Sequence, residues 1–336
     1  MSETRVLADV KVRIDDRVRL IGALLAMTSY PNDIQRIRPH GTHIHARNTR
    51  RTLGDLSADP AVMQAQAMLD AKTPLETFFT LAMHLHPETL EVVRPLPGWV
   101  PADWATNLKG FSKRTHLSLW FDKERLIWEK AQHEAERAFS KVAFKPILGE
   151  FFDSIPTSFV FIPHLLYPTE REVTILFDNE LICIAPPPLA WGDNPPWPYD
   201  DPSMLYYTLR NALGGFGKLL LDRAIDDNPS AIEEAAAQAL PVNEQFRIAF
   251  PAWRDQFREL FANALTALYL EDYVNEREYR AFVLIEQRMR GMNILPGTVS
   301  VMRRFMQERG SKFQSINDWV RVFPKQLRVA KRLVSL

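Results

Sequence analysis

The chain of 336 residues is long enough to bury a sizeable core, as one large domain or two lobes. Hydrophobic residues at 46% and charged residues at 24% exclude a disordered chain, and 41 basic against 41 acidic side chains leave no global field to draw in nucleic acid or an anionic membrane. The single Cys183 excludes an intramolecular disulfide and a cysteine-rich zinc knuckle, and its apolar setting, LICIAP, predicts an inert buried thiol.

The N-terminal stretch MSETRVLADVKVRIDD is charged and unlike a signal peptide, and no apolar run approaches the roughly 18 residues needed to span a bilayer, so a cytoplasmic location is expected. Val6, Ala8, Val10, Val12 and Ile14 alternate as a half-buried strand does, ahead of a helix around RVRLIGALLAM. Residues 30 to 55 read as irregular. AVMQAQAMLDA and PLETFFTLAMHL read as two helices, RPLPGWVPADW as a rigid loop, and the segment from Asp122 as a strong helix with Leu126, Ile127, Ala131, Ala135 and Ala138 on its buried face. KPILGEFFDSI continues as a short helix.

The texture then turns to β: TSFVFIP, EVTILF and ELICIAP are three short strands, the last two joined at Asp178-Asn179 as a hairpin. PPPLAWGDNPPWPYDDP holds seven prolines in 17 residues and can only be a connector. Helices are predicted beyond it, at 202–226, 230–239, 243–265, 267–290, 296–309, 314–322 and 324–334. Residues 301 to 336 carry nine Lys or Arg against Glu308 and Asp318, the pattern of a solvated face on amphipathic helices.

The helix at 202–226 places Gly214 beside Gly215 near its middle, where each costs about 1 kcal/mol relative to alanine. Such a pair marks a close approach, either of another backbone or of something that fills the neighbouring space. A small sheet feeding a long helix, with a glutamate on a later helix, is the layout of gluzincin zinc metallopeptidases, in which H-E-x-x-H supplies two zinc ligands and a general base and a downstream Glu the third ligand. Through VKVRIDDRVRLIGALLAM, DPAVMQAQAML, LSLWFDKERLIWEKAQHEAERAF, LLLDRAIDDNPSAI and YVNEREYRAFVL, most of the chain resembles, at low similarity, a poorly characterised bacterial domain-of-unknown-function family of gluzincin-like metallopeptidases.

The resemblance implies an α+β, predominantly helical, gluzincin-like scaffold: an N-terminal lobe over residues 1–190 with a small sheet at about 157–186, and a C-terminal helical lobe over 191–336, together one integrated catalytic-type domain. It lays H-E-x-x-H on Asn211, Ala212 and Gly215, so both histidines and the base are replaced, while Glu276 stands at the third-ligand position with Arg280 four residues on. An amide, a methyl and a glycine cannot hold catalytic zinc or take a proton from water. The resemblance therefore implies no catalytic residue, no metal and no cofactor, and an inactive homologue that binds a peptide or protein in the former active-site cleft, with His164, Trp191 and Trp197 as cleft candidates.

Two alternatives stay open. One is an active metal-dependent hydrolase with a displaced site drawing on Glu276, His164 or His40, His43 and His45; the other is a structural or interaction protein whose cleft has closed. The histidine cluster reads as a polar loop, Glu276 with Arg280 also fits an ordinary i, i+4 ion pair, and Trp191, Trp197 and Tyr199 either line a groove for an extended ligand or pin the connector to the surface. Neither a nucleophile elbow nor a phosphate-binding loop nor a dinucleotide fingerprint occurs.

Overall fold

The computed structural model describes residues 8–37, 41–190, 192 and 194–334. They divide into two compact units, 1–142 with 157–211 and 143–156 with 212–336. The segment after Val142 belongs with the second unit for a packing reason. Phe144 lies 5.1 Å from the Tyr269 ring and Phe151 stacks on Phe305 at 5.6 Å, which ties the segment after Val142 to the second unit.

The first unit is built around a four-stranded sheet of β1 (Val10–Val12), β2 (Ser158–Pro163), β3 (Val173–Phe177) and β4 (Glu180–Ala185), in the order β1-β2-β4-β3. β1 and β4 run parallel to β2, while β3 pairs antiparallel with β4. The central strands β2 and β4 are buried from their second residue onward, as continuous apolar runs demand. Asp178 and Asn179 take left-handed φ values of 49° and 63°, the backbone of a two-residue hairpin turn. Helix Asp16–Ala26, capped by the Asp15 carboxylate, is buried at every residue from Val18 to Ala26. Gly22 on it lets the His164 ring come so close that an added Cβ would lie 2.5 Å from its Cε1.

The stretch 30 to 55 is not irregular: it holds helices Tyr30–Ile37 and Ile44–Leu53. Both are short and polar, the second with only Ile44, Ala46 and Leu53 as apolar residues, so no hydrophobic period marks them. Two further helices, Trp104–Arg114 and Leu117–Lys123, precede the predicted one, which runs Arg125–Phe139. On that helix Leu126 is 76% exposed instead of buried, and the inward face is Trp128, Ala131, Glu134, Ala135, Ala138 and Phe139.

In the second unit an aromatic core of Phe257, Phe261, Phe305, Trp319 and Phe323 gathers the helices. Pro251 ends the short helix Glu244–Ala249, and Trp253–Tyr269 then runs on through a π turn, Leu270–Val274, so the predicted break near residue 266 moves to Asn275. The last two predicted helices are one, Ile316–Val334, with Pro324 inside. Trp319, Val320, Phe323 and Leu327 are buried on both sides of the proline, and that packing outweighs the lost N–H. No helix among the described residues is long and apolar enough to cross a membrane.

Candidate functional site

Helix Leu205–Asp226 buries Asn211, Ala212 and Gly215. The Asn211 carbonyl accepts the Cys183 thiol at 3.5 Å, and burial pushes that thiol's pKa well up, in keeping with an inert cysteine. Glu276 has a different setting. It opens helix Glu276–Arg290 behind the Asn275 cap, its side chain is 69% exposed, and it accepts a hydrogen bond from Arg280 at 2.6 Å. Among the described residues no three His, Cys, Asp or Glu side chains gather so as to hold a metal ion.

Helix Trp253–Tyr269 lies beside Gly214 at ordinary contact distance: an added Cβ would meet Ala262 Cβ and Thr266 Oγ1, each at 3.8 Å, with room for a methyl. The tighter approach is one turn on. At Gly217 an added Cβ would come within 2.5 Å of Leu265 Cδ2.

The histidines of the first unit serve its core. His43 caps helix Ile44–Leu53, its Nδ1 accepting the His45 N–H at 3.1 Å, so the cluster is a helix start and not a polar loop. His45 is fully buried. Its Nε2 accepts the Trp128 indole N–H at 3.1 Å, which puts the ring proton on Nδ1, 3.3 Å from Glu124 Oε2. The geometry superficially resembles a carboxylate–histidine pair, but Trp128 blocks the nitrogen that a base would use. His164 is also inaccessible: Nε2 donates to the Tyr167 carbonyl at 2.8 Å, and Phe79 and Trp128 face the ring. Burial lowers the pKa of His43 to about 4, of His45 to about 3 and of His164 to about 4, so all three are neutral at pH 7. His40 and Trp191 lie outside the described residues.

Three of the residues singled out in the sequence, His43, Trp197 and Tyr199, border a groove. Trp197, 45% exposed, lies with Pro187, Pro196, Pro198 and Tyr199 of the proline connector along a cavity of about 400 Å³. Its other wall is His43 and Ile44 from one helix start and Leu126, Ile127, Lys130, Ala131 and Glu134 from one helix face, with Leu165 beside them. Ile44 and Leu126 are 53% and 76% exposed, so the groove mouth is rimmed with apolar surface. A larger cavity of about 670 Å³ is lined by Arg13, Asp15, Asp16, Arg17 and Arg19, but these charges are spent internally, on Glu180, Asp15 and Asp16.

The connector's attachment to the sheet shapes the groove. The Tyr199 hydroxyl donates to the Ala185 carbonyl at 2.7 Å and accepts the His164 N–H at 3.0 Å, and its backbone N–H donates to Glu134 at 3.4 Å. Lys130 and Glu134 escaped the sequence reading. Their i, i+4 spacing beside Leu126 and Ile127 is the signal that could have found them, since it puts two charges and an apolar pair on one helix face. Compared with known proteins, the chain matches no family model, no curated protein and no solved structure.

Proposed function

We propose that the protein is a non-hydrolytic binding protein of the cytoplasm, a relative of the gluzincin-like metallopeptidases without their zinc chemistry, that holds an extended peptide segment in the groove between the proline connector and helix Arg125–Phe139. The observation that carries this reading is the groove itself: exposed Trp197, Ile44 and Leu126 at its mouth, with His43, Lys130 and Glu134 as its ionisable or basic side chains beside the Tyr199 ring. Non-hydrolytic action is supported by the replacement of the motif residues at 211, 212 and 215 and by the exposed ion pair that occupies Glu276. The groove is a better-supported place for a ligand than the sheet edges. β1 is only three residues long, and β3 packs against helix Leu75–Met83.

The test is an array of random octapeptides probed with wild-type protein and with Trp197→Asp. The wild type is expected to retain a sequence-selected subset, and the variant to lose at least tenfold in signal on it while keeping its circular dichroism spectrum. Retained peptides incubated with protein and added zinc should stay intact by mass spectrometry. Zinc-dependent cleavage, or retention indifferent to Trp197→Asp, overturns the reading.

A further inference from the structure

Besides the Tyr199 and Trp197 rings, the groove carries three polar side chains, His43, Lys130 and Glu134, and their bonding states are unequal. Glu134 is 8% exposed. Its Oε2 receives the Tyr199 N–H at a long 3.4 Å, while Oε1 has only Lys130 Nζ at 3.8 Å, too far for a hydrogen bond. Among the described residues Oε1 accepts no other. Oε1 therefore faces the groove without a close donor of its own, and burial of the residue holds the Glu134 carboxyl above its ordinary range. Lys130 is a poor resident partner, since its side chain is 76% exposed and can return to water at little cost.

Besides Lys130, Arg47 also places positive charge near His43, but its side chain is exposed and screened by water. His43 stays neutral at pH 7, and with Nδ1 taken by the helix cap its ring proton is on Nε2, a donor suited to a peptide carbonyl. Arg137, next along the helix, is paired with Asp200 at 2.6 Å. Trp197 offers an indole face at the mouth. A buried acceptor with an aromatic ring suits a planar, weakly hydrated cation with several N–H donors better than a compact ammonium.

We infer that the groove selects peptides carrying an arginine side chain, whose guanidinium displaces Lys130 and donates to Glu134 while lying against Trp197. This deepens the proposed function and rests on it. No bond is made or broken; the guanidinium and carboxylate exchange water and Lys130 for each other.

The test uses three immobilised octapeptide pools with one central position fixed as arginine, as citrulline, which keeps the shape without the charge, or as glutamate. Wild-type protein is expected to bind the arginine pool at least tenfold tighter than the citrulline pool. Glu134→Gln, which retains an acceptor for the Tyr199 N–H, should shrink that ratio below twofold. Lys130→Ala should tighten arginine-pool binding severalfold by removing the competitor, an effect that a merely structural role for Glu134 does not produce. If Glu134→Gln fails to fold, Lys130→Ala decides alone, and unchanged or weaker binding there sinks the inference. Equal binding of arginine and citrulline pools, both abolished by Trp197→Asp, overturns the arginine selection and leaves the groove reading intact. Absence of any pool binding that depends on Trp197 overturns both.

Discussion

Gly22 and Gly214 sit in the middle of well-buried helices, one in each unit, yet they do opposite things. At Gly22 a methyl would collide with His164 Cε1 at 2.5 Å and Leu166 Cβ at 2.7 Å; at Gly214 the nearest atoms are 3.8 Å away, at ordinary contact distance. The first glycine is a steric requirement of a buried imidazole, and the second leaves room for the side chain it lacks. A glycine inside a helical pattern reports that something overrides helix propensity only when a neighbour occupies the space, and only coordinates supply that neighbour.

The sharpest way to probe the Gly22 side of this contrast is acid. The ring that fills its gap, His164, and the nearby His45 are held neutral at about 4 and about 3, below the ordinary 6.5. The unfolded chain therefore takes up protons first as pH falls. Stability is fully present above about pH 6.5 and drains through the window down to about pH 3 to 4, at roughly 1.4 kcal/mol per pH unit for each histidine. Urea unfolding at pH 5 should show a loss of about 4 kcal/mol from these two rings relative to pH 7.5, with about 2 kcal/mol more from His43, which burial holds at about 4, and a flat profile would mean that the rings are not held as described.

Next in size is Gly22→Ala, expected to cost about 2 to 3 kcal/mol in urea midpoint through overpacking. Combined with His164→Ala it should cost less than the sum by about 1 kcal/mol, because the nearer of its two clash partners is gone while Leu166 Cβ remains; strict additivity would break the steric account. Gly214→Ala should do the reverse and raise stability by about 0.5 to 1 kcal/mol, since the methyl fits and the helix gains propensity. A loss there, read by thermal melting, would restore the idea that this glycine is demanded by its surroundings. Smallest of all, Glu276→Gln removes one side of an exposed i, i+4 pair and should shift stability by less than about 0.5 kcal/mol. A larger shift, or one that depends on added zinc, would return Glu276 to a metal-binding role.

Much of the architecture was legible because it is written in local patterns. The apolar runs of β2 and β4, the Asp178-Asn179 turn and the 22-residue helix Leu205–Asp226 all carry their signal within a few residues. Helix Ile44–Leu53 does not, since its cap is a histidine and its apolar face is nearly empty. Pro251 is a legible stop inside the predicted helix 243–265, whereas at Pro324 packing carries the helix past a proline that the sequence marks as a stop. The groove was the least legible feature, being assembled from residues 43–44, 126–127, 130–131, 134, 165, 187 and 196–199, which lie far apart in the sequence. Leu126 shows the difficulty in one residue: its helical register with Ala131 and Ala135 marks it as core, and only the fold shows it facing outward at the groove mouth.

The tether at Tyr199 has a thermodynamic consequence for anything that docks beside it. A proline-rich wall whose far end is anchored by hydroxyl, amide and carbonyl bonds, the last accepting Thr208 Oγ1 at 2.8 Å, keeps little freedom to surrender when a guest arrives. For the peptide proposed above, the entropy lost on association would then fall on the peptide and on Lys130 and Trp197, so flanking its arginine with prolines is expected to raise affinity without adding a contact.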